Sequence, residues 1–128
     1  MNHHPRNEIA DLLKSWIAAL ETHDPTEITA LYASDAILLP TVSNTLRKTS
    51  DGIRDYFEHF MIALPTATVI EQNIRHFNTL AINSGVYSFR FTFEGTVRAV
   101  VGRFTFVYRK DTDGWKIIEH HSSRMPED

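Results

Sequence analysis

Tyr87-Ser88-Phe89-Arg90-Phe91-Thr92-Phe93 alternates aromatic and polar residues without a break. Alternation with period two places all the rings on one face of a strand and all the polar side chains on the other. Downstream, residues 97–109 form a second long β-rich run. Asp111-Thr112-Asp113-Gly114 reads as a turn, and Trp115 to Ser122 as the last strand. Upstream, residues 67–76 alternate more loosely. The C-terminal half is therefore expected to be a run of antiparallel strands.

The N-terminal half has a different period. Ile9, Leu12, Leu13, Trp16, Ile17 and Leu20 form a single apolar stripe on a helix. Asp24-Pro25-Thr26-Glu27 reads as the start of a second, short helix that uses Ile28, Leu31 and Tyr32, with Asp24 as its cap. Ala36 to Pro40 is a short strand candidate. After a polar connection, Ile53, Tyr56, Phe57, Phe60, Met61 and Leu64 repeat the helical stripe, and Pro65 stops it. Three helices followed by mainly antiparallel strands is an α+β order, in which the sheet curls around helices packed on one face.

The chain has 128 residues and reads as one domain, 1–128, with 42% hydrophobic content to build its core. It contains no cysteine, which removes disulfides, thiolate metal sites and cysteine nucleophiles. The formal charge is −3 with no basic block, so no nucleic-acid partner is expected. No apolar run approaches the ~20 residues of a membrane helix, and no signal peptide is visible. The expected setting is the cytoplasm, with no membrane partner.

Four segments carry a resemblance over nearly the whole chain. They are Asp24-Pro25 with Leu31-Tyr32-Ala33; Leu38-Leu39-Pro40-Thr41 with Ser43-Asn44 and Arg47; Arg103-Phe104-Thr105-Phe106-Val107-Tyr108-Arg109; and His120-His121-Ser122-Ser123-Arg124-Met125-Pro126. Together they resemble the bacterial relatives of the calcium/calmodulin-dependent protein kinase II association domain, within the nuclear transport factor 2-like (SnoaL-like) superfamily. The resemblance implies a cone fold, with a strongly bent sheet and a cavity between sheet and helices. It also implies assembly through the sheet into a homo-oligomer, at least a dimer. The animal domain takes small carboxylate-like ligands in a pocket lined partly by arginines. Two of those basic positions fall on Phe106 and Ser122 here. No glycine-rich nucleotide loop, His-Arg-Asp or Asp-Phe-Gly element is present, so no kinase chemistry is expected.

Candidate ligand-binding residues are Tyr32, Tyr56, Tyr87, Arg103, His120 and His121. Neighbouring histidines on a strand point to opposite faces, so His120 and His121 do not hold one metal together. One of them is either a cavity base or a structural histidine. Arg103 sits in an apolar strand and needs a partner: an anionic ligand, Glu119 or a second subunit. The tyrosines on apolar stripes are either core residues or cavity-lining donors. Arg90 is read as a solvent or interface residue. Met1-Asn2-His3, which could bind copper or nickel, is read as a tail. No cofactor or metal is expected.

Two registers would align three of these residues. With Glu94-Gly95-Thr96 as a three-residue turn and Lys110 to Gly114 as a five-residue loop, Tyr87, Arg103 and His121 line up across three strands. Such a row could grip a small anion or polar ligand on one face, or form an interface on the other. A two-residue Glu94-Gly95 turn would instead set Tyr87 beside Gly102. Two functions remain open. One is a non-catalytic oligomerising and ligand-binding module. The other is a small-molecule enzyme of the isomerase, cyclase or dehydratase type, using a histidine or glutamate in the cavity.

Overall fold

A computed structural model of the protein describes residues 5–41 and 43–127. The Met1-Asn2-His3 reading lies outside the described residues. Helix α1 spans Pro5–Glu21, α2 Pro25–Thr29 and α3 Ser50–Phe60, the last extended by a 3-10 turn, Met61–Ala63. The strands are β1 Tyr32–Leu39, β2 Thr66–Phe77, β3 Leu80–Phe93, β4 Thr96–Asp111 and β5 Gly114–Arg124. This is the expected α+β architecture, a curled, open and mainly antiparallel sheet following helices. The strand order is β1-β5-β4-β3-β2, and only the β1–β5 pair is parallel.

Local chemistry sets the helix ends. The Asp24 carboxylate accepts from the Thr26 backbone N–H at 2.9 Å, and Pro25 occupies the first turn. Thr49 caps α3 by accepting from Gly52 N–H at 3.0 Å. Leu64 ends the 3-10 turn in a left-handed conformation, directly before Pro65. The second helix is shorter than its apolar spacing suggests. It stops at Thr29, and Tyr32 opens β1 instead. The Leu31 carbonyl accepts from Ile117 N–H, so pairing with the sheet captures the segment before another turn can form.

The helices pack on one face of the sheet. Ile9, Leu13, Trp16 and Leu20 of α1 and Ile53 and Phe57 of α3 are fully buried, against Tyr87, Phe89, Phe104, Phe106 and Tyr108 from the sheet. Three irregular registers bend the sheet: at Val69/Glu71 between β2 and β3, at Val107/Tyr108 between β4 and β5, and at Tyr32/Ile37 between β1 and β5. Gly85 pairs with Gln72, immediately after the first. A Cβ there would stand 2.0 Å from the Glu71 carbonyl oxygen, so only glycine lets β2 pass.

The turns correct both assumed registers. Phe93 pairs with Thr96, so Glu94-Gly95 is a two-residue turn with φ of 50° and 78°. Two successive positive φ values make a type I′ turn, which matches the twist of the flanking strands. Asp111 pairs with Gly114, leaving Thr112-Asp113 as another two-residue turn. Tyr87 therefore falls opposite Gly102, and Arg103 opposite Val86 and Ser123. The row of Tyr87, Arg103 and His121 does not form.

Candidate functional site

Strand parity distributes the candidate residues between two environments. On β5, His120 and Ser122 turn inward and are buried, while His121 is exposed on the outer face. On β4, Gly102, Phe104 and Phe106 turn inward, and Arg103 is exposed. On β3, Tyr87, Phe89 and Phe91 turn toward the helices and Arg90 away from them. Arg103 and His121 thus lie across the sheet from the cavity. Among the described residues no ion pair joins Arg103 to Glu119.

Between helices and sheet lies a cavity of about 420 Å³, a size that suits a small molecule. Aromatic rings wall it: Trp16 from α1, Tyr56, Phe57 and Phe60 from α3, and Phe89 and Phe91 from β3. Its polar lining comprises Thr41, Arg47, His59, Tyr87, His120, Ser122 and Arg124. No carboxylate lines it among the described residues. Of the six candidates, Tyr56, Tyr87 and His120 line the cavity. Tyr32 stands behind it, bonded to His120. Arg103 and His121 are elsewhere.

His120 is the centre of a hydrogen-bonded chain. The Trp16 indole N–H donates to Tyr32 Oη at 3.1 Å, and Tyr32 Oη meets His120 Nδ1 at 2.8 Å. On the other side of the ring, Nε2 lies a long 3.4 Å from Tyr87 Oη. Tyr87 Oη is in a short hydrogen bond with Ser122 Oγ, and Ser122 Oγ lies 2.7 Å from Thr41 Oγ1. The indole can only donate, so Tyr32 best satisfies both neighbours by donating onward to Nδ1. That makes His120 the Nε2–H tautomer. The imidazole also stacks on Phe106, with ring centroids 3.9 Å apart and planes 15° apart.

These surroundings hold the group neutral. Burial, reinforced by the neighbouring His121, lowers the His120 pKa to about 3. Burial pushes the Tyr56 phenol up to about 12 and raises those of Tyr32 and Tyr87 as well. Arg47 carries a charge at the cavity wall, paired with Asp55 at 2.7 Å and donating to the Gly52 carbonyl at 3.0 Å. Its buried Nε has no partner. The Tyr87, Ser122 and Thr41 hydroxyls and the neutral His120 thus form an uncharged polar patch, while Arg47 and Arg124 bring positive charge to the rest of the lining.

Trp16, Thr41, Arg47 and Ser122 were not among the candidates. Trp16 reads in sequence as one more residue of a core stripe, and nothing in that spacing reveals its donor. Ser122 did carry a signal: two residues beyond His120 on a strand, it must share that residue's face. Arg47 reaches the wall because residue 47 pairs with Leu38 through reciprocal backbone bonds of 2.8 and 2.9 Å.

Comparison with known proteins agrees with this geometry. A candidate calcium/calmodulin dependent protein kinase II association domain from Xanthomonas campestris has 41% sequence identity and a TM-score of 0.94, covering 98% of this chain and 91% of its own. A nuclear transport factor 2-like protein from Salmonella enterica has 17% identity and a TM-score of 0.83, over 94% of this chain and 91% of its own. A ketosteroid isomerase-like protein from Erwinia carotovora atroseptica has 15% identity and a TM-score of 0.77, over 91% and 93%. The last two share the fold alone. No curated protein matches the chain. The model of the calcium/calmodulin dependent protein kinase II association domain family matches residues 5–126, and the chain belongs to that family.

Proposed function

We propose that this protein is a non-catalytic, oligomerising domain that binds a small molecule in the cavity, without kinase activity. The cavity carries the reading: aromatic walls, a polar floor and no carboxylate among its described lining residues. Proton-transfer enzymes need a base whose pKa lies near the working pH. His120, with its pKa lowered to about 3, is a poor base at neutral pH. Its two ring nitrogens are already engaged by Tyr32 and Tyr87. This favours binding over the isomerase or dehydratase alternative. Tyr56, Tyr87 and His120 are the ligand-facing residues, with Tyr32 holding His120 in place.

Self-association is the second half of the proposal. The outer face of the sheet is free of helices and exposes apolar side chains, including Leu80 and Val101 at 42% and 37%. Arg103 and His121 share that face and are assigned to the subunit interface. Light scattering should give at least a dimer at micromolar concentration, and a monomer mass would refute association. For the cavity, the Trp16 indole N–H resonance should shift on titration with 2-ethylnaphthalene. Ala63→Phe, which fills the cavity from the 3-10 turn, should abolish the shift and leave the oligomer intact. An unshifted Trp16 resonance in the unmodified protein would refute the cavity reading.

A further inference from the structure

Arg103 on β4 and Glu119 on β5 are exposed on the outer face of the sheet, alternating with the inward Phe104 and His120. Among the described residues, neither side chain takes part in an ion pair. Arg103 pairs with Ser123, and Glu119 lies four residues back along β5. That places the two charges about 14 Å apart along the strands, too far to meet within one chain. The other charges on this face are committed or peripheral. Arg109 is held by Asp35 and Asp111, Glu71 accepts from the Asn73 amide at 3.0 Å, and Lys116 donates to the Ala30 carbonyl. Arg75 lies on the edge strand β2, and Arg90 lies toward the β3–β4 turn. His121 sits between Arg103 and Glu119, opposite Thr105.

The sheet curls around the helices, so its outer face is convex, and two such faces meet first at their middle strands. β4 is the middle strand of the five, and β5 adjoins it. Around the two charges the face carries Ile37, Ile82, Val86, Val101 and Val107. Covering that apolar surface takes Arg103 and Glu119 out of water. A charge removed from water without a partner opposes the contact, and a facing opposite charge offsets the loss. In a two-fold dimer, a residue that meets a second residue of the partner is itself met by the partner's copy of that second residue in turn. With the axis in the plane of contact, roughly across the strands at the level of the Thr105–His121 pair, it runs midway between Arg103 and Glu119. Each Arg103 then faces the partner's Glu119, and two ion pairs form at once. Resting on the self-association proposed above, we infer that two copies of this chain join outer face to outer face about such an axis, with Arg103 of each subunit bound to Glu119 of the partner subunit.

Charge reversal tests the pairing, read as the dimer dissociation constant from sedimentation equilibrium. Arg103→Glu and Glu119→Arg each turn both attractions into repulsions, and each should weaken the dimer roughly tenfold or more. The double variant restores two opposite pairs with their signs exchanged, and should return to within about threefold of the unmodified protein. Both side chains are exposed, so the variants should keep their secondary structure by circular dichroism. If a reversal does not fold, Arg103→Gln and Glu119→Gln serve instead. Their effects on the dimer should be less than additive, because either one breaks the same two pairs. Single variants that dimerise as the unmodified protein does, or a double variant weakened by both single effects together, would overturn the inference while self-association stands. An unmodified protein that stays monomeric would overturn both.

Discussion

Acidification should weaken the fold through one side chain. In the unfolded chain His120 takes up a proton near the ordinary histidine pKa of about 6.5, and in the fold only near about 3. Between those values the unfolded state binds more protons, so stability rises with pH there and is lost as the pH falls. The imidazole faces Tyr32 from β1, Tyr87 from β3, Trp16 from α1 and Phe106 from β4, none of them charged in this window. No neighbour therefore offsets the charge that protonation would bury. At pH 4.5 the unfolded state gains two pH units of protonation that the folded state does not. At 1.36 kcal/mol per unit, that is a loss of about 3 kcal/mol relative to pH 7. Carboxylates and the other histidines titrate too, so the comparison needs a variant lacking this imidazole. Urea denaturation of the unmodified protein and of His120→Gln at pH 7 and pH 4.5 isolates the effect. The unmodified protein should lose about 3 kcal/mol more than the variant over that interval. Parallel losses, or a folded-state His120 resonance titrating near pH 6.5, would refute the reasoning.

Gly85→Ala should destabilise the fold by roughly 1–3 kcal/mol, because the new methyl meets the Glu71 backbone rather than a movable side chain; an unchanged urea midpoint would count against this account of the β2 irregularity. Tyr32→Phe removes the acceptor for the Trp16 indole and the partner of His120 Nδ1, and should cost about 1–3 kcal/mol with the secondary structure retained by circular dichroism. Thr49→Ala should cost about 1 kcal/mol through loss of the α3 cap, measured in the same way. Arg103→Met should change the oligomer and leave the affinity for 2-ethylnaphthalene unchanged; the reverse pattern would place Arg103 in the binding site despite its position on the outer face.

The fold was legible because its two periodicities are separate. The 9–20 and 53–64 stripes and the 87–93 alternation each admit a single regular structure. The site was only half legible, and the physical reason lies in turns of a few atoms. A side-chain row across strands requires the register, and the register depends on whether Glu94-Gly95 closes the hairpin alone. Glutamate at φ 50° is uncommon for a residue bearing a Cβ, so a longer loop was a reasonable expectation. The parallel β1–β5 pairing was similarly hidden, since Tyr32 and His120 meet only because strands 88 residues apart adjoin. Periodicity says which face a residue occupies once one neighbour is placed, and it carries no information about distant partners.

The same parity gives the sheet two independent surfaces. Along β5, His120 and Ser122 belong to the cavity, and Glu119 and His121 to the outer face. Along β4, Gly102 and Phe104 face inward while Val101 and Arg103 face outward. Each strand therefore carries binding and association chemistry on alternate residues, and substitutions can reach one without touching the other. The separation is incomplete at Gly102. A Cβ there would stand 3.3 Å from the Tyr87 ring and 3.1 Å from the Ser123 carbonyl oxygen. Both distances are tight, and the ring and strand would each have to yield. Glycine at this point lets Tyr87 lie close over β4 with its hydroxyl within reach of both His120 and Ser122. The polar patch on the cavity floor thus depends on a residue without a side chain as much as on the side chains that bear its hydroxyls.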